Sequence, residues 1–177
     1  MNEPFSELLA VGGKSNSLGK VPDVIEAVLQ NKLRIAELYQ CLFDDDAWVR
    51  MRAADSLEKI CRVHPDWLQP YIDPFLDNLS SSNQPSIQWH LAQIYRQVEL
   101  SPQQQKLVIE WLENLLSSPD ADWIVSANAM DTLAHFVNQG SYPVPQANAF
   151  FVIQTQHKSK SVIRRATKLI ETYTLEA

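Results

Sequence analysis

The stretch from Phe43 to Ile60, FDDDAWVRMRAADSLEKI, decides the fold. Asp44, Asp45 and Asp46 make a polar turn, after which Val49, Ala53, Leu57 and Ile60 recur at spacings of three and four, the pattern of one α-helical face. Ahead of the turn, Leu38 and Leu42 stand one helical turn apart. The unit therefore reads as helix A, acidic turn, helix B.

The unit returns along the chain. Leu42, Leu79, Leu116 and Ile153 are each 37 residues apart, and four residues before them stand Leu38, Phe75, Leu112 and Ala149. Helix B restarts at Val49, Ile87, Val125 and Val162, with separations of 38, 38 and 37. Counting from these starts, offsets four, five, eight and eleven give Ala53, Ala54, Leu57 and Ile60, then Leu91, Ala92, Tyr95 and Val98. The third copy has Ala129, Met130, Leu133 and Phe136, and the fourth Ala166, Thr167, Ile170 and Tyr173. One helix pair cannot cover its own apolar face, so consecutive pairs must stack.

Composition agrees. The 177 residues are 45% hydrophobic and 20% charged, and of only 4 glycines none lies between Lys20 and Gln139. No stretch alternates as a strand does, so the class is all-α. Ser101-Pro102-Gln103-Gln104 has the form of a capping box with proline at the first helical position, and Gly140 stands where a left-handed helix cap is common. Pro70 fits the first turn of the second A helix, whereas Pro74 falls deeper and predicts a kink.

With its acidic turn, Val49-Arg50 and the Ala53-Ala54 pair, the unit resembles the HEAT repeat, and the other copies match more loosely. The resemblance covers about Leu33 to Tyr173 and implies an α-solenoid; a helical bundle imitating a repeat is the alternative architecture. The expected organisation is a flexible segment over 1–20 and a repeat domain over 21–177, with repeats near 33–64, 67–100, 102–140 and 145–174. Val21 to Gln30 predicts an extra helix capping the first repeat. The family's arginine at the second position of helix B is present as Arg50 but replaced by Gln88, Ser126 and Ile163, so its polar ladder is mostly missing.

No catalytic constellation emerges. Gly12-Gly13-Lys14-Ser15 ends like a phosphate-binding loop, but Leu8 occupies the first glycine position and no strand precedes it. His64, His90, His135 and His157 show no metal spacing, and Cys41 and Cys61 are too few for a zinc site or a disulfide framework. His64 reads as a helix-end residue and the other three histidines as solvent-facing. The reading is a non-enzymatic protein without cofactor or metal. Two apolar-flanked cysteines suit a reducing compartment, and no stretch reaches membrane-spanning length, so a cytoplasmic location is expected.

Partner binding is the remaining function. Trp48, Trp67, Trp111 and Trp123 have packing roles at helix corners or core edges, whereas Trp89 lies at B-helix offset two, away from the core offsets. The outward offsets two, three, six, nine and ten bring six cations (Arg52, Lys59, Arg96, Arg164, Arg165 and Lys168) against four acids (Asp55, Glu58, Asp131 and Glu171). That balance inverts the chain's net charge of -6. The resemblance implies that B helices line a groove, so Arg52, Trp89, His90, Arg96, Asp131, Arg164, Arg165 and Lys168 are the candidate partner-binding residues, for a protein or acidic peptide. Trp89, Arg96 and Asp131 also match in type the residues of HEAT-like DNA-alkylation-repair glycosylases. Nucleic-acid binding is thus the alternative, and global acidity argues against it. Phe150 to Ile153, four apolar residues in a row, make the C-terminal repeat a candidate homodimer surface.

Overall fold

The computed structural model describes residues 3–12 and 17–175, among which there are eleven α-helices, three 3-10 turns and no strand. The chain divides into two compact units, Met1–Pro74 with Ser82–Glu99, and Phe75–Ser81 with Leu100–Ala177.

In the first unit, α1 (Phe5–Ala10) and α2 (Val21–Gln30) precede the first repeat. Its A helix is α3 (Ile35–Gln40) and its B helix α4 (Ala47–Val63). Asp46 caps α4 by accepting the Trp48 N–H at 2.8 Å, so the acidic turn serves as a helix start. α4 is the centre of this unit, packed against α2 and α7 (Pro85–Tyr95) with α1, α3 and α5 (Pro65–Leu68) also in contact.

The second A segment differs from the expected kinked helix. It breaks after α5 into a 3-10 turn, Gln69–Tyr71, and restarts as α6 (Ile72–Leu79). Pro74 therefore lies in the first turn of α6, where a missing N–H costs nothing and no kink is required. The division between the two units passes through this helix.

In the second unit α8 (Pro102–Leu116) and α9 (Trp123–Asn138) form the third pair, α10 (Val144–Gln154) and α11 (Lys160–Leu175) the fourth. α9 touches α8, α10 and α11. The Ser101–Gln104 capping box is formed in both directions. Gly140 has φ 71°, and the Gly140 and Ser141 amides bond back to the carbonyls of Val137 and Phe136, closing α9 in a Schellman motif.

Polar side chains tie one repeat's turn to the next. In the first unit, Arg50 Nη1 donates to the Asp44 and Asp45 carbonyls, its Nε donates to Gln84 Oε1 at 2.7 Å, and Gln84 Nε2 reaches the Ala47 carbonyl. In the second, the fully buried Gln154 donates to the carbonyls of Leu116 and Ser118 at 2.9 and 3.0 Å. His157 Nδ1 accepts the Ser159 N–H, which leaves the proton on Nε2, 2.9 Å from the Ala121 carbonyl. His157 is thus buried, not solvent-facing as the sequence suggested.

The start of the chain also departs from expectation. Instead of a flexible lead, α1 buries Phe5 and Leu9 completely. Glu37 accepts the Phe5 N–H at 2.7 Å, while Arg34, paired with Glu37, lies 3.7 Å from the centre of the Phe5 ring. Six residues with two apolar anchors are too few for periodicity to register. The expected α2 is present and packs on α4. Lys14 and Ser15 of the phosphate-loop-like segment lie outside the described residues.

Candidate functional site

The eight predicted partner-binding residues separate into those the fold consumes and those it leaves at the surface. Arg52 is consumed. It is only 2% exposed, and its guanidinium donates to the carbonyls of Leu9 (2.6 Å), Ala10 (3.4 Å) and Ser17 (3.1 Å). Gly12 lies against it so closely that a Cβ there would stand 2.1 Å from Nη2. The first B helix thus has this part of its outward side occupied by the chain's own N-terminal segment, and Arg52 is removed from the candidate surface.

His90 is the second correction. It is 4% exposed and lies among Asp55, Glu58 and Lys59 of the preceding B helix. Burial pushes its pKa down to about 4, against the opposing pull of Asp55 and Glu58, so the ring is neutral at ordinary pH. Glu58, 1% exposed, is satisfied by Arg62 Nε and by Gln97 Nε2 of the α7 repeat. Trp89 is half-buried with its ring centre 4.4 Å from that of His90, and Arg96 is half-buried too.

In the second unit the candidates come together on α9 and α11. Arg165 forms an ion pair with Asp131, which holds the arginine against the neighbouring B helix. Arg164, Arg165 and Lys168 are exposed, and with Ser161, Leu169 and Thr172 they line a shallow depression of about 390 Å³. Thr172 was among the outward offsets; Leu169 was missed, because offset seven belongs to neither the core nor the outward set. Such a surface, cationic with one aliphatic side chain, can pair with carboxylates.

Both cysteines are buried and free. Burial raises Cys41 to about 11 and Cys61 to about 12, keeping both thiols protonated. Among the described residues no group of three or more His, Cys, Asp or Glu could hold a metal ion, and no helix is long and apolar enough to cross a membrane. Of the four consecutive apolar residues in α10, Phe151 is buried, Phe150 and Ile153 are half-buried, and Val152 is 50% exposed.

Repeated helix pairs joined by capped turns, with a polar face on the B helices, define an all-α repeat protein of the α-solenoid class. A family model for the HEAT repeat domain matches residues 13–118, and the chain belongs to the HEAT-repeat family. No curated protein and no solved structure matches the chain.

Proposed function

We propose that this chain is a non-enzymatic HEAT-repeat scaffold that binds an acidic protein segment. The observation that carries the reading is the exposed cluster Arg164, Arg165 and Lys168 on α11, set around the depression that includes Leu169, in a chain whose net charge is -6. From His157 to Ile170 there are five Lys or Arg and no acid. A carboxylate segment laid along α11 would pair with the arginines while Leu169 takes an apolar side chain, and Asp131 would orient Arg165. On the first unit, Trp89 and Arg96 supply the corresponding side of their own B helix.

Capture of the tagged protein's partners from its native lysate, in nuclease-treated and untreated halves, tests this reading when run beside R164E/R165E and W89A. A protein retained after nuclease and lost with R164E/R165E supports the α11 surface, and loss with W89A adds the first unit. Equal retention by R164E/R165E overturns the α11 assignment. Material retained only without nuclease replaces it with nucleic-acid binding, for which a steep salt dependence is the signature.

A further inference from the structure

The second unit has an acidic surface as well as its cationic one. Phe75–Ser81 and α8 both belong to that unit, and between them lies a depression of about 450 Å³. Its floor is apolar: Leu76 and Trp111 are each 8% exposed, and Leu107 beside them is 39% exposed. The Trp111 indole N–H donates to the Ser80 carbonyl at 3.0 Å, which fixes the ring and joins the two segments. Asp77 and Glu110, both exposed, complete the lining with Ser80, Ser81 and Asn114, and no cation is among these residues.

Glu110 also borders a second depression of about 450 Å³, on the flank of α8 that carries Ile109 and Glu113 and meets Ser141. Glu113 is held there by the Tyr142 hydroxyl, which donates to it at 2.5 Å. The one cation in this lining is Lys106, 3.8 Å from Glu110. Both partners of that pair are exposed, so it is a loose one. Across the two depressions three carboxylates therefore face a single lysine.

We infer that this side of α8 binds an extended, arginine- or lysine-bearing segment of a partner protein. The chemistry of the first depression matches such a side chain along its length: Leu76, Leu107 and Trp111 cover the aliphatic stem, while Asp77 and Glu110 take the charge. The extended form comes from the layout, two side-chain-sized depressions with Glu110 between them, which alternate side chains of a strand can enter together. The inference goes beyond the scaffold reading and does not depend on it, since α11 selects carboxylates and α8 selects cations.

The test is fluorescence anisotropy on the full-length chain with a labelled peptide of about ten residues, glycine and serine with arginines at three alternate positions. Salt is kept at about 0.15 M, where charges more than about 8 Å apart are screened. Binding is expected, weakened about tenfold by D77N/E110Q, weakened also by L107S, and strengthened by K106Q, which removes the competing cation. D23N/E26Q, which neutralises two acids of α2, and R164E/R165E should leave affinity within twofold of the parent, about 0.4 kcal/mol. Because Asp77 and Glu110 are exposed, D77N/E110Q should keep the parental circular dichroism and melting. No binding by the parent overturns the inference, as does equal weakening by D23N/E26Q and D77N/E110Q, which would mean diffuse attraction to an acidic chain. Displacement of the peptide by free arginine at equal concentration overturns it in favour of a small-cation site. Self-association of the parent that D77N/E110Q dissolves overturns it in favour of a second copy. None of these outcomes bears on acidic segments at α11, so the scaffold reading stands or falls separately.

Discussion

A single arginine illustrates how residue chemistry decides availability. Arg52 has the offset of a surface residue, yet its guanidinium satisfies three carbonyls of the N-terminal segment, and Gly12 leaves the space it fills. Replacing Arg52 by Ala should cost about 3 kcal/mol, because a charge-assisted set of bonds is lost and the Leu9 carbonyl stays buried. Gly12→Ala should destabilise the parent but have little effect in the Arg52→Ala background, a coupling that urea denaturation of the four proteins would measure. His90 gives a residue-scale pH effect. Its folded pKa of about 4 lies below the ordinary 6.5, so between those values the unfolded chain binds a proton that the folded chain does not. Stability should therefore fall as pH drops from 6.5 to 4, by roughly 3 kcal/mol, and His90→Gln should flatten that slope. Both residues show where the sequence stops being legible: a helical wheel gives the direction of a side chain, but not what another segment places in front of it.

At the scale of elements, much was legible. The capping box at Ser101, the left-handed Gly140 and the extra helix α2 follow from local rules that tertiary packing did not override. The wheel was less informative for the seams between B helices. Offset three stands about 110° from the core direction and so faces sideways, which is why His90 reaches toward Asp55 and Arg165 toward Asp131. The same geometry places offset five on the opposite flank, where Thr167 is exposed. Gln154 was unremarkable in the sequence because its role depends on carbonyls 36 and 38 residues away. Gln154→Leu should lower stability by about 2 kcal/mol by stranding those carbonyls, and thermal melts should show it, whereas replacing the exposed Gln156 should change little.

For the whole molecule, the period near 37 residues made the architecture readable from one sequence, since eight helices repeat the same apolar positions. The candidate site was read only in part: its cations were found, but exposure depends on neighbours that a period does not name. Each unit has one helix surrounded by the others, α4 in the first and α9 in the second. Hydrogen exchange should accordingly be slowest in the middle of α4 and α9 and fastest near the ends of α11, with α1 intermediate because Arg52 and Glu37 hold it. Equal protection in α11 and α9 would contradict this ranking. The bridges between turns carry one more consequence. Apart from Gln84 Oε1, their acceptors are main-chain carbonyls, those of Ala47, Leu116, Ser118 and Ala121. A carbonyl persists whatever side chain is mounted beside it, so these loops can drift through substitution while each joint survives, and inheritance need guard only the donors.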